Sequence, residues 1–187
     1  SDVDGAGTGL INQAQGSLEE TLLLGRDGLL TDYPTRNEAV SVAEQDELAI
    51  HATITLYKAE QIINWRIGHN RKPSLIVLFE TVEKEDDFDT ENIDQWRELR
   101  MVDGVYQVTL WQNDSDDGLF IFDEFTPTKG DGSTWNEIPF SFVGAMDNNA
   151  EIDKAPLLDI INANLAHYRN SADYQDAVFY TEGRIQA

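Results

Sequence analysis

The dipeptide Asp103-Gly104 restricts the fold of this chain more than any other feature. It separates two runs that the pattern assigns to strands, residues 96–102 and 105–111. Trp96, Glu98, Arg100 and Val102 belong to the first, and the second is rich in aromatic and β-branched side chains. Both central residues of a two-residue hairpin turn need positive φ, which Asp-Gly satisfies well. The pattern therefore predicts a β-hairpin here, with an antiparallel sheet built around it.

Other short apolar runs predict further strands, because each is bounded by turn-forming residues. They are residues 28–33, 52–57, 75–79, 119–122 and 138–143. Between them, we expect a weakly patterned helix at 37–47 and a single helical turn at 58–63. The acidic stretches 83–89 and 113–118 are expected to be a solvated loop and a turn, because carboxylates are rarely buried.

An N-terminal helix is predicted after Thr8, which is a good capping residue. It would end at Gly25, a natural C-terminal cap. Gly16 costs about 1 kcal/mol relative to alanine, so this helix needs tertiary support. Its apolar stripe has helical spacing and consists of Leu10, Ile11, Ala14, Leu18, Thr21 and Leu22.

The C-terminal segment is predicted to form a long helix. Pro156 suits its first turn, and the charge of Asp159 suits the helix dipole. Its stripe extends over roughly 25 residues, whereas an average helix has about 11–12. Such a helix usually packs along a long partner. The fold class is therefore α+β, with an N-terminal helix, mostly antiparallel strands including a β-hairpin, and a long C-terminal helix.

Composition narrows the classes of function. The chain of 187 residues has 35 acidic and 13 basic side chains, a net charge of −22. Such a field repels phosphate, which argues against sequence-specific nucleic-acid binding but permits a wall along which DNA slides. A solubility surface or adaptation to high salt explains the charge equally well. Cysteine is absent, and no apolar run is long enough to suggest a membrane partner.

Catalytic patterns are missing from the sequence. The glycines at positions 5, 7 and 9 lack the third glycine of a dinucleotide fingerprint, since Leu10 occupies that position. The histidines lie far apart, and none has the context of a known nucleophile or metal motif. We therefore expect no catalytic residue, no cofactor and no enzymatic activity. A hydrolase whose carboxylates cannot be distinguished among so many remains a weaker alternative.

A calcium loop is the strongest metal pattern. Asn113, Ser115, Asp117 and Glu124 occupy the first, third, fifth and twelfth positions of an EF-hand loop, and Gly118 occupies the sixth. An EF-hand requires flanking helices, whereas these flanks resemble strands, so an acidic hairpin turn is favoured. A small acidic binding module, with or without calcium dependence, is the alternative function that this pattern leaves open.

The C-terminal helix carries a family resemblance. Residues 155–160 and 164–174, with the motif Ala-His-Tyr-Arg-Asn-Ser-Ala-Asp-Tyr in the second, resemble the signature helix of a family of tailed-bacteriophage portal proteins. That family was long catalogued as a domain of unknown function. Further similarities follow in the same order as in the family, at residues 9–10, 24–34, 57–65, 96–100 and 138–140. The piece at 59–65 is fairly specific, like the final helix, and the others are weak alone. The chain departs from the family at residues 182–187, where the family tends to continue with glycine and proline into a strand.

The resemblance implies a structural subunit of a ring at one capsid vertex, through which double-stranded DNA is packaged and ejected without sequence-specific binding. The ring would also connect the capsid to the tail. Its implied partners are further copies of itself, the terminase, head-completion proteins and capsid proteins. Its implied location is the virion, after assembly in the host cytoplasm.

The resemblance also implies a division of the chain. Residues 1–150 would be a wing-like α/β region, and residues 151–187 the long helix that leads into a stem. The clip, the returning stem helix and any crown are not represented. The helix is the expected contact between subunits, with candidate interface residues Leu157, Ile161, Leu165, His167, Tyr168 and Arg169.

Overall fold

The computed structural model of the protein describes residues 2–33, 51–86, 89–114, 118–129 and 131–185. The helix predicted at 37–47 lies outside these residues. The secondary-structure elements, in chain order, are α1 (Leu10–Leu24), β1 (Arg26–Asp32), β2 (Thr53–Lys58), a single 3-10 turn (Ala59–Gln61), β3 (Ile62–Ile67), β4 (Pro73–Asp86), β5 (Asp89–Val102), β6 (Val105–Asp114), β7 (Gly118–Phe125), β8 (Phe140–Gly144) and α2 (Leu158–Ile185). The predicted α+β fold is confirmed.

The described strands form two antiparallel sheets. The smaller has the order β2-β1-β8, and the larger has the order β3-β4-β5-β6-β7. The predicted hairpin is confirmed as β5 and β6, which pair up to Val102 opposite Val105. Asp103 and Gly104 have φ values of 50° and 82°. The turn therefore uses the positive φ for which this dipeptide is suited.

The prediction of a solvated loop at 83–89 is wrong for most of that stretch. β4 and β5 stay paired from Glu83 opposite Asn92 to Asp86 opposite Asp89. From Thr81 to Asp86 in β4, and from Asp89 to Asp94 in β5, neither strand pairs with a third described strand. The two strands therefore continue there as a two-stranded ribbon. A strand pair satisfies its backbone hydrogen bonds whatever the charge of its side chains. Acidity therefore does not exclude a strand.

The capping prediction for α1 is only half right. Gly25 ends the helix with a φ of 82°, as predicted, but the N-cap is Gly9 and no side chain caps that end. The Thr8 hydroxyl instead hydrogen bonds to Asp4, which also accepts the Thr8 backbone N–H at 3.0 Å. These hydrogen bonds lower the pKa of Asp4 to about 2. The Thr8 side chain therefore bonds to Asp4 and does not cap the helix.

The core lies where the two sheets face each other. Ile76, Leu78 and Leu99 of the larger sheet are fully buried. Phe142 of the smaller sheet meets the Trp65 ring edge-on, with 6.2 Å between ring centroids. The Arg26 guanidinium lies 4.1 Å from the centre of the Trp65 ring, where the π-electrons attract its charge. Aliphatic and aromatic side chains from both sheets thus form one core.

The helix α1 packs on the smaller sheet through its polar side. Gln13 Nε2 donates to the carbonyl oxygen of Ile54 at 2.6 Å, and the Ser17 hydroxyl donates to Asp27 Oδ2 at 2.7 Å. The predicted apolar stripe exists, but Leu10, Ile11 and Leu18 are exposed. These hydrogen bonds set the orientation of the helix on the sheet. Most of the apolar stripe is left facing outward, whereas Thr21 and Leu22 are half-buried.

Candidate self-association surface

The root of α2 is fixed to the body of the protein. The Leu157 N–H donates to the carbonyl oxygen of Leu22 in the last turn of α1, at 3.2 Å. Asp153 Oδ2 accepts the N–H groups of Met146 and Asp147 at 2.8 and 3.2 Å. These bonds join the ends of α1 and β8 to the segment that precedes α2, so the helix starts from a defined place.

Gly25 allows this close packing. A Cβ placed on Gly25 would lie 2.3 Å from the carbonyl oxygen of Asp153, a separation that atoms do not tolerate. Its positive φ also favours glycine. The same residue thus ends α1 and lets the chain before α2 pass directly against it.

Beyond its root, α2 lies in solvent. It has 28 residues, about 42 Å at 1.5 Å per residue. Of its described side chains, residues 158–181, none is buried, and all but Ser171 and Val178 are exposed. Helix propensity alone leaves an isolated helix marginal in water, since most helical stability in proteins comes from packing. A partner that covered this surface would therefore stabilise the helix.

The predicted interface residues lie along this helix and its first turn. Leu157 is half-buried, and the others are exposed, with Leu165 at 49% and Tyr168 at 75%. The exposed set comprises Ile161, Leu165, His167, Tyr168 and Arg169. The structure thus brings them to one projecting element. Their role in a subunit contact stays a prediction.

The apolar stripe predicted from the sequence has steps of three and four residues, and it starts just before α2 and continues along it. It consists of Leu157, Ile161, Leu165, Tyr168 and Ala172, and it continues from Gln175 to Phe179. This is the repeat that places one side of a helix against another helix over its whole length. Full burial of a leucine or isoleucine side chain contributes about 1.5–3 kcal/mol. The stripe can therefore supply substantial association energy.

Two further apolar surfaces are exposed elsewhere. The first is the outward stripe of α1, where the Ile11 side chain is 74% exposed. The second is β7, an edge strand of the larger sheet in which four consecutive large apolar residues, 119–122, are all exposed. Exposed apolar edge strands are typical of surfaces that pair with another chain.

The calcium-loop candidates are separated by the strand geometry. Asn113 lies opposite Leu119, whereas Glu124 lies opposite Thr109 at the other end of β7. Five residues of strand separate Leu119 from Glu124, about 17 Å at 3.3–3.4 Å per residue. Asn113 and Glu124 therefore do not approach one ion. Ser115 and Asp117 lie outside the described residues. Within those residues, no group of three histidine or acidic side chains is placed to hold a metal.

A polar cluster inside the body was missed by the sequence analysis. Glu80 accepts hydrogen bonds from Tyr57 Oη and Arg97 Nε, each at 2.6 Å, and from Gln95 Nε2 at 2.8 Å. Burial by itself would raise the pKa of Glu80, but the hydrogen bonds and charge of Arg97 outweigh it and hold that pKa below its usual range. The hydrogen-bonding capacity of the carboxylate is occupied, so the cluster joins β2, β4 and β5 structurally.

A groove of about 330 Å³ lies beside the start of β4. Trp135 and Phe140 form part of its apolar lining. Its charged lining residues, Lys72 and Glu137, form an ion pair with each other. The groove thus offers an apolar wall and a neutralised charge pair.

Two comparisons with known proteins leave the chain without an assigned family. No protein-family model matches it. No curated protein matches it either. Neither helix in the described part of the chain has both the length and the apolarity that crossing a bilayer requires.

Proposed function

We propose that this chain is part of a structural subunit of a phage portal ring, through which DNA is packaged and ejected and which connects the capsid to the tail. The observation that carries the proposal is the projecting helix α2, which has no buried side chain among residues 158–181. The sequence resemblance to portal proteins rests most strongly on the same helix.

A partner of α2 would have to cover its apolar stripe. A long helix with an exposed apolar stripe is stabilised when that stripe is covered. Further copies of the same chain supply matching surfaces, because each copy also exposes the apolar stripe of α1 and the edge strand β7. Most soluble assemblies of identical copies are closed and symmetric. Self-association into a ring is therefore the function that this surface supports best.

The charge of the chain suits a channel through which DNA passes. The net charge of −22 gives copies of this chain a field that repels phosphate. Tight binding to DNA releases counterions through lysine and arginine contacts, which are scarce here. An acidic ring would let double-stranded DNA pass without holding it. The terminase, head-completion proteins and capsid proteins would then bind the ring from outside, at a vertex of the virion.

Aspartate substitutions on the stripe test the proposal. Leu165→Asp or Tyr168→Asp should abolish oligomers in size-exclusion chromatography with light scattering, because each introduces a charge into the contact. The melting temperature of the monomer should change little, because both side chains are exposed. Ala163→Asp is the matched control, since Ala163 lies on the same helix outside the stripe.

Electron microscopy of the oligomers supplies the second readout. Rings with a central channel are expected for the wild-type chain and for Ala163→Asp. Equal loss of assembly and of thermal stability in the stripe variants would contradict the role of α2. A chain that stays monomeric and instead binds calcium at micromolar concentration would favour the small acidic binding module.

A further inference from the structure

Few basic side chains in the described part of the chain lack a partner. Most lysines and arginines with described side chains have a carboxylate or an aromatic ring as a partner. The exceptions are Arg66, Arg71 and Arg169, which form no ion pair within the described part of the chain. In a chain with 35 acidic residues, arginines without a carboxylate partner need an explanation.

Arg66 and Arg71 lie together at one edge of the larger sheet. Arg66 is on the edge strand β3, and Arg71 is in the turn that follows it, both exposed. No acidic residue occurs between Gln61 and Phe79. Lys72 in the same turn forms an ion pair with Glu137, whereas the two arginines have no ion-pair partner within the described residues. The exposed side chains of Ile63 and Ile67 add apolar surface to this basic edge.

The opposite edge of the same sheet has the opposite charge. β7 exposes the acidic side chains Asp123 and Glu124, and neither has an ion-pair partner within the described residues. The preceding residues, 119–122, add apolar surface, and Phe122 is 58% exposed. One sheet therefore carries an apolar and basic edge on β3 and an apolar and acidic edge on β7.

The register of the sheet places these charges at the same level. Glu124 and Asn64 belong to one row across the sheet, through Thr109, Glu98 and Val77. Arg66 is two residues further along β3, about 7 Å along the strand. Because every neighbouring pair is antiparallel, β3 and β7 run in the same direction. A second copy placed beside the first would bring Glu124 close to Arg66 without a shift in register.

We infer that neighbouring copies contact each other through the two opposite edges of the larger sheet, with β7 of one copy against β3 of the next. This inference rests on the proposed ring, and it names the surfaces that join the subunits. The contact is heterologous, because the two edges differ, and each added copy leaves one edge of each kind free. Such contacts close into a ring when the rotation between copies allows it.

Side chains contribute most of this contact. The register shifts between β6 and β7, and it shifts twice between β3 and β4. These bulges interrupt the regular backbone edge and limit strand pairing with another chain. Opposite charges and the exposed apolar residues then determine which edges meet, and high salt should weaken their association.

Charge reversal at one edge at a time tests the inference. The variant Arg66→Glu/Arg71→Glu loses the basic edge, and the variant Asp123→Lys/Glu124→Lys loses the acidic edge. Each alone should associate on the order of tenfold more weakly than wild type, because like charges would meet. A mixture of the two should associate again, with the variants alternating, because every contact between unlike variants brings an acidic edge against a basic one. A chain with all four substitutions should recover self-association.

The absence of cysteine allows a second, geometric test. Two single variants, Asn64→Cys and Glu124→Cys, are mixed and oxidised, and the products are separated on a non-reducing gel. Cross-linked dimers are expected from the mixture and not from either variant alone. Asp103→Cys mixed with Asn64→Cys is the control, because Asp103 lies in the exposed turn between β5 and β6.

The outcomes separate this inference from the proposed function. Oligomers that persist in both charge-reversed variants, without the cross-link between positions 64 and 124, would overturn the sheet-edge contact and leave the ring intact. Cross-linking of Glu124→Cys to itself would replace the heterologous contact by a symmetric dimer. A chain that is monomeric at all concentrations and gives no cross-link contradicts both proposals.

Discussion

The sandwich of two sheets and the helix α2 are stabilised in opposite ways. In the sandwich, Leu78 is fully inaccessible to solvent, and the Glu80 carboxylate has protein partners on both of its oxygens. In α2, the Leu165 side chain is half exposed and no described side chain is buried. The sandwich is thus held by contacts within the chain. The helix can gain comparable contacts only from outside it.

If the chain self-associates as proposed, folding and assembly would depend on different residues. A substitution in the sandwich should lower the stability of the monomer, whereas a substitution on α2 should affect association alone. The following four predictions test that separation, in order of decreasing effect.

Leu78→Ala should have the largest effect. Removal of a fully buried leucine side chain leaves a cavity and costs about 2–5 kcal/mol of unfolding free energy. Leu165→Ala in α2 is the matched control, and it should change that free energy by no more than about 0.5 kcal/mol. Chemical denaturation of the monomer measures both. Similar losses in the two variants would break the distinction between the regions.

Glu80→Gln should cost about 2–3 kcal/mol, because it leaves the charge of Arg97 largely buried without a carboxylate. The folded-state pKa of Glu80 is held below the usual value of 4.5. Its contribution to stability is therefore present above that pH and is lost as pH falls through the lowered pKa. The wild type and the variant should converge in acid. Asp173→Asn on α2 is the control, and it should leave the free energy of unfolding nearly unchanged at neutral pH because its side chain is exposed.

Gly25→Ala tests the boundary between the two regions and should cost about 1–2 kcal/mol or more. Alanine is strained at positive φ, and its Cβ would collide with the carbonyl oxygen of Asp153. Gly104→Ala is a precise control, since Gly104 has the same φ of 82° but no atom near its Cβ position. The difference between the two melting temperatures reports the collision alone. Equal effects would show that the root of α2 is not tightly packed.

Asp27→Asn should stabilise the protein at neutral pH by about 1 kcal/mol. Burial raises the pKa of Asp27 above 3.8, and the charge of Glu20 adds to this, although Ser17 and Thr21 donate hydrogen bonds that oppose it. The contribution of Asp27 to stability is therefore full below pH 3.8 and is lost as pH rises through the raised pKa. In melting curves from acid to neutral pH, the variant should become more stable than the wild type as the pH rises. A loss of stability at neutral pH would contradict this account.

Much of the local structure could be predicted from the sequence. The turn at Asp103-Gly104, the end of α1 at Gly25 and the length of α2 follow from local chemistry, and all three are confirmed. The ribbon at residues 83–86 was missed, because acidity was taken as a sign of a loop. The cluster around Glu80 could not be predicted, since Tyr57 and Arg97 lie 23 and 17 residues away from it.

The candidate surfaces were also only partly predictable from the sequence. The stripe on α2 could be recognised from its spacing, and so could the stripe on α1. The sequence could not tell which side of α1 faces the sheet, because that depends on the hydrogen bonds of Gln13 and Ser17 to strands distant in the chain. Arg66 and Arg71 form no ion pair within the described residues, and this likewise depends on where the carboxylates of other segments lie.

By itself, the amino-acid sequence determined the α+β class, the hairpin, the two helices and the strong negative charge. Tertiary structure alone decided that most of the apolar stripe of α1 faces outward, that β3 and β7 form opposite edges of one sheet, and that Arg66 and Arg71 form no ion pair within the described residues. The physical reason is one of range. Helix and turn formation depend on neighbouring residues, whereas burial and charge pairing depend on which distant segments are brought together.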